Sequence, residues 1–153
     1  MQTVFSPRYG YNNLEDNMIN SFLATGALAY GKIVEPAVTT GILALATDYG
    51  YFLMEEVTVD GASLFEMQMG EYQYEKKAGA NTAVSVLIPK RGAVIRTKWV
   101  VQGAGGVAVA VGNLLDIVAG EYATNAGNNG TKGLLKNIYT DSIGNVMYDV
   151  KIL

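Results

Sequence analysis

Cysteine and histidine are both absent from this chain of 153 residues. Without Cys there is no disulfide framework, no thiol nucleophile and no soft thiolate metal site. Without His, the side chain that titrates near neutral pH and most often ligates metals is missing. Charge is scarce too: 16% of the residues are Asp, Glu, Lys or Arg, and the formal net charge is −3. A mildly acidic chain with dispersed carboxylates lacks the basic face of a nucleic-acid binder. Long apolar runs are missing as well, because Gly, Thr, Asp or Lys interrupts each one before it reaches the length of a membrane span. The opening residues, Met1-Gln2-Thr3-Val4-Phe5-Ser6-Pro7-Arg8, join no basic region to an apolar core and do not read as a signal peptide. The expectation is a soluble protein made in a reducing cytoplasm, with no cofactor, no metal and no membrane or nucleic-acid partner.

What is present points to β structure. Half of the residues are hydrophobic and 18 are Gly. Short alternating apolar runs are separated by Gly and Asn, the pattern of strands and turns. The expected fold is mainly β: a small β-barrel or β-tulip-like sandwich with an extended N-terminal arm and one short helix. The length suits one ordinary domain or two very small ones. So few charges leave a monomer short of polar surface, and self-assembly would hide the excess apolar area.

Three segments are expected to pack as one unit: an arm and helix over 1–26, a β subdomain over 27–106, and a second β subdomain over 107–153. The arm carries Phe5, Tyr9 and Tyr11 among Pro7, Gly10 and Asn12. It reads either as a frayed terminus or as an arm that docks its aromatics on a neighbouring subunit, since disordered tails usually lack aromatics. The helix is predicted from Asn13 as N-cap, with Leu14, Met18 and Phe22 at spacing four and a stop at Gly26. Strands follow at 32–35, 41–47, 51–54 and 57–59. Over 65–75 the alternation slips by one residue, which a β-bulge at Gly70 would repair. Further strands are expected at 82–88, 94–101 and 107–111, then at 114–118, 121–124 and 134–139. The closing strand sets Val146, Tyr148, Val150 and Ile152 against Met147, Asp149, Lys151 and Leu153. That strand can also pair at an edge with a neighbour.

Catalytic and cofactor motifs do not assemble. Gly103-Ala104-Gly105-Gly106 lacks dinucleotide-loop spacing, and Gly130-Thr131-Lys132 lacks the upstream glycines of a phosphate loop. Asp141-Ser142-Ile143-Gly144-Asn145 offers oxygen ligands without the repeated acids of a calcium loop. Glu55 and Glu56 are adjacent and would point to opposite faces of a strand. The expectation is therefore a protein that is not an enzyme. Lys90, Arg91, Arg96 and Lys98 form the one basic cluster. It reads either as edge protection or as a rim contact to an acidic partner, carried by Arg91, Arg96 and Lys98. Trp99 and the ten tyrosines belong to core and interface, or to a sugar-binding face.

The last third resembles a known family. Alternating Val and Ala over 107–111 lead to Gly112-Asn113-Leu114-Leu115, Gly120-Glu121-Tyr122, an Asn/Gly loop, Gly133-Leu134-Leu135 and the closing Tyr148-Asp149-Val150-Lys151-Ile152. This order resembles the small β-barrel or β-tulip decoration (cement) proteins of tailed-bacteriophage heads. The resemblance covers about a third of the chain, and the first two thirds exceed the shortest members. It implies a protein on the outside of the capsid, often a trimer, that bridges major capsid protein subunits and stiffens the shell. Multiple shallow contacts would then gain from lattice avidity. The alternatives are another virion component (tail tube, head fibre or minor capsid protein) and a carbohydrate-binding β module.

Overall fold

Short β-branched and aromatic runs cannot bury themselves alone, so they pair into sheets that share one apolar interior. The structure, a computed structural model, describes residues 5–12, 14–25, 28–54, 77–78 and 83–153. Its strands are β1 (Phe5–Tyr9), β2 (Met18–Leu23), β3 (Leu28–Ala29), β4 (Ile33–Pro36), β5 (Leu43–Leu45), β6 (Tyr51–Met54) and β7 (Lys77–Ala78). They continue as β8 (Ala83–Leu87), β9 (Val94–Thr97), β10 (Val100–Gln102), β11 (Leu114–Val118), β12 (Glu121–Thr124), β13 (Gly133–Thr140) and β14 (Val146–Ile152). A seven-stranded sheet runs β1-β9-β14-β13-β11-β12-β10, a five-stranded sheet runs β2-β8-β6-β4-β5, and β3 pairs with β7. The fold is mainly β, and its two large sheets form an unclosed sandwich. Among the described residues no helix is long and apolar enough to cross a membrane.

The larger sheet curls strongly. β10 is at one end of the strand order and β9 is second from the other end, yet only Lys98 and Trp99 separate them. Three residue steps span about 10 Å at most, so the sheet rolls until its two sides nearly meet. The expected single strand over 94–101 is split here. Thr97 Oγ1 accepts the Trp99 N–H at 3.1 Å, and the chain turns from one side of the rolled sheet to the other. The sheet does not close into a barrel, so of the two expected forms the structure is the sandwich.

Both sheets contribute to the main core. Phe5, Ile95, Leu115, Leu135 and Val150 of the large sheet pack with Ile33, Phe52 and Leu87 of the small one. Phe5 stacks on Phe52 with ring centroids 5.0 Å apart. The seven-stranded sheet takes strands from all three segments delimited above. The closing third is therefore completed by β1, β9 and β10 rather than folding on a sheet of its own.

The expected helix is corrected. Residues Glu15–Asn17 form a single 3₁₀ turn, and Met18–Leu23 is strand β2. Met18 pairs with Leu87, Ile19 with Val86 and Phe22 with Val84, with an irregularity between Ile19 and Phe22. That irregularity brings Ile19 and Phe22, three apart, onto one face beside Val86 and Val84, while Met18 packs with Leu87 on the other. A helix of about ten residues is marginal alone, while pairing with Val-rich β8 satisfies the backbone and half-buries Met18 and Phe22. The arm is also corrected: its first described residues are β1, paired with β9. The alternation over 65–75 and its bulge at Gly70 lie outside the described residues, as do Glu55 and Glu56.

One tight turn ties the sheets together. Ala119 and Gly120 join β11 to β12 with φ of +49° and +76°. Two positive values in a two-residue hairpin loop match the turn whose twist suits flanking strands. The Gly120 N–H donates to the Ala46 carbonyl at 2.8 Å, and the Ile33 N–H donates to the Gly120 carbonyl at 2.8 Å. A Cβ on Gly120 would lie 2.8 Å from the Ile33 carbonyl oxygen. Ala119→Gly is expected to stabilise the fold by about 1 kcal/mol, by relieving a left-handed alanine. Gly120→Ala is expected to cost about 2 kcal/mol or more, through strain and crowding. Urea unfolding of both variants checks the pair.

Candidate interaction surface

Strand register fixes which side chains share the outer face of the large sheet. Arg96 lies opposite Asp149 across β9 and β14, Asp149 lies opposite Asn137, and Tyr139 lies opposite Met147. Tyr9 lies opposite Val94 at the next row. The result is a band of aromatic and charged groups running across four strands.

Arg96 is its centre. Its Nε and Nη2 donate to the two Asp149 carboxylate oxygens at 2.7 and 2.9 Å. The guanidinium also lies 4.6 Å from the Tyr139 ring centroid. Arg8 is 6.0 Å from the Tyr9 ring. The Asp149 side chain is held well below the ordinary carboxylate range, first by the Arg96 hydrogen bond, against desolvation, with help from the charge of Arg8 and a bond from Asn137. The same bond raises Arg96. Locked into this pair, Arg96 presents a fixed planar group against the exposed Tyr139 ring, 43% of full exposure, with Tyr9, 65% exposed, near enough to act on its charge.

The pair has a pH signature. The native pKa of Asp149 lies below its unfolded value of about 3.8. Its contribution is therefore present at neutral pH and is lost as pH falls through the native value. The gap in melting temperature between the wild type and Asp149→Asn should shrink as pH is lowered from about 7 to about 3. A constant gap would show that the pair does not titrate with the fold.

Beyond this band the β13–β14 hairpin projects past the sandwich. β13 is covered over its first three residues and exposed over its last five, on both faces. β11 accompanies β13 only as far as Leu135, whose N–H donates to the Asn113 carbonyl at 2.9 Å. The projecting part carries exposed Ile138, Tyr139 and Val146, with Ile143 at the tip 68% exposed. Asp141 builds the tip: its carboxylate accepts the N–H groups of Ile143 and Asn145 at 3.0 and 2.9 Å and the Asn145 amide at 3.0 Å. These bonds outweigh desolvation and hold Asp141 below its usual value. The oxygens once eligible for calcium are thus committed to the turn.

The residues expected to make contacts are not all brought together. Phe5 is a core residue of β1, stacked on Phe52, and does not present its ring to a partner. Tyr11 is half-buried: its hydroxyl donates to the Ile88 carbonyl at 2.8 Å and accepts the Lys90 N–H at 3.0 Å. Burial pushes its phenol up, against the Lys90 bond. Tyr9 and Arg96 meet on the outer face. Arg91 sits exposed in the turn before β9. Lys98 has its ammonium 4.3 Å from the Trp99 ring, and that of Lys32 lies 4.5 Å from the same ring. The Trp99 indole N–H donates to the Tyr30 carbonyl at 2.8 Å. With two lysines over it and its donor spent, Trp99 is a packing group rather than an open sugar platform.

The loop Gly130-Thr131-Lys132 is equally committed. The Thr131 N–H donates to Asp116 at 3.0 Å, and the Lys132 ammonium pairs with Asp48 at 2.8 Å while resting 3.5 Å from the Tyr49 ring centre. Beside it, a cleft lined by Ile33, Tyr49, Phe52, Tyr122 and Lys132 encloses about 20 Å³, room for a water and not for a substrate. Burial raises the Tyr122 phenol at its base well above the ordinary range. Among the described residues no cluster of three or more Asp or Glu side chains forms a metal site.

Sequence reasoning missed Arg8, Ile138, Tyr139, Ile143, Val146 and Asp149. One signal was legible: Ile143 is an apolar residue inside an Asp-Ser-x-Gly-Asn turn, where no core is available to it. Comparison with protein families, with curated proteins and with solved structures finds no match to this chain.

Proposed function

We propose that the chain is a structural virion protein that decorates the outside of a phage-type capsid and bridges neighbouring subunits of the major capsid protein. The carrying observation is the continuous surface formed by the Tyr9–Arg96–Tyr139 band and the projecting apolar hairpin. Tyr and Arg are the side chains that dominate protein–protein hot spots. Ile138, Ile143 and Val146 of the hairpin are held out in solvent, apart from the core, and exposed apolar surface of this kind marks association. The low charge, the many glycines and the resemblance of the last third to decoration proteins point the same way. The mechanism is mechanical: burying this surface at subunit junctions raises the cost of separating them, and repetition over a lattice multiplies modest affinities.

Co-sedimentation with tailed-phage capsid shells that lack a decoration protein tests this reading. Saturable binding that raises the temperature of shell rupture is expected. No binding at tens of micromolar, with the chain folded, would overturn it.

A further inference from the structure

We propose that the free edge of β13, residues 136–140, takes the same strand of a second copy, antiparallel about a two-fold axis at Ile138. This rests on the reading of the hairpin as a docking element, and not on which shell carries it.

The edge is open. β14 covers one side of β13 along its length, whereas β11 pairs only with Gly133 and Leu134 and reaches Leu135 through Asn113. From Lys136 to Thr140 no other described strand pairs on that side, and all five side chains are exposed. An unpaired edge of this length is a template for another strand. Monomeric proteins usually guard such edges with several charges, proline or a bulge. Here the stretch holds one charge, Lys136, and no proline. The irregularity between Leu135 and Asn137 falls on Lys136, the first residue of the stretch, and Asn137 to Thr140 pair with β14 in regular register.

Geometry selects the register. A symmetric antiparallel pair must centre on one residue, and β11 blocks every position up to Leu135. The register that uses all five free residues centres on Ile138. It sets Ile138 against Ile138, Asn137 against Tyr139 and Lys136 against Thr140. The lone charge therefore never faces its own copy, and the apolar residue does. Val146 and Tyr148 lie beside Ile138 on β14, across from Thr140 and Ile138. The pair would thus extend each large sheet into the other and cover apolar side chains of both hairpins. An isologous contact joins copies in twos. It is therefore a link between neighbouring decorations, separate from any three-fold contact.

The absence of native Cys makes the test clean. Facing residues of an antiparallel pair bring Cβ atoms to about 4.5–5.5 Å, close to disulfide reach. Under mild oxidation, Ile138→Cys should form covalent dimer at least ~10-fold faster than Ile143→Cys, although Ile143 is the more exposed residue. Ile138→Lys, which puts two cations face to face, should weaken self-association measured by light scattering at least ~10-fold while circular dichroism stays unchanged. Equal cross-linking rates at 138 and 143 would overturn the proposal, and so would a wild type that is monomeric at hundreds of micromolar. Should Ile138→Lys abolish shell binding while the wild type stays monomeric, the hairpin docks on the shell and self-pairing is wrong. Fast cross-linking at 138 without any shell binding would keep the strand pair and remove the capsid reading.

Discussion

Phe5→Ala is expected to destabilise the fold by about 3–5 kcal/mol, a drop in melting temperature of roughly 10 °C for a chain of this size. Phe5 is buried at 8% exposure and stacks on Phe52 across the two sheets. Gly31, at φ +83°, leaves room for it: a Cβ there would lie 2.7 Å from the Phe5 Cβ. Truncation would remove a ring from the seam where both sheets meet and loosen β1 from β9. Thermal unfolding by circular dichroism reads the effect. An unchanged melting temperature would mean that Phe5 is not part of the core and that the segment acts as a free arm.

The second large effect is on association, with stability left alone. Ile138→Asp combined with Ile143→Asp should weaken binding to shells by about 30-fold or more, the scale of losing at least one hot spot of about 2 kcal/mol. Both side chains are exposed, so unfolding free energy should stay within about 0.5 kcal/mol of the wild type. Titration of shells with labelled protein gives the affinity, and urea unfolding gives the control. Retained affinity in the double variant would show that the contact surface lies elsewhere on the molecule.

Much of the architecture is legible in local pattern. The runs at 32–35, 51–54, 82–88 and 146–152 are short and largely apolar, bounded by Gly, Pro or Asn, and they fold as β4, β6, β8 and β14. Local pattern fails where tertiary pairing decides. Met18 and Phe22 are four apart, which suits a helix face equally well. Only the Val-rich partner β8, more than sixty residues away, makes a strand with an irregularity the better solution. Residues 94–101 alternate without a break, and the division at Lys98 arises because the rolled sheet needs a strand at each side. The arm aromatics divide for the same reason: Phe5 and Tyr9 are four apart and would share a face of a regular strand, but an irregularity between Pro7 and Tyr9 in the pairing with β9 puts them on opposite faces. The candidate surface was half visible. Arg96 and Tyr9 stood out by composition, but Tyr139 and Asp149 join them only through the pairings of β9, β14 and β13.

Hydrogen–deuterium exchange of the chain, free and on the shell, tests the central claim most directly. Slowed exchange on binding is expected over 136–147 and along β1, with the β5 and β10 edges unchanged. Protection confined to β5 and β10, with the hairpin amides exchanging as fast on the shell as off it, would contradict the assignment of this surface.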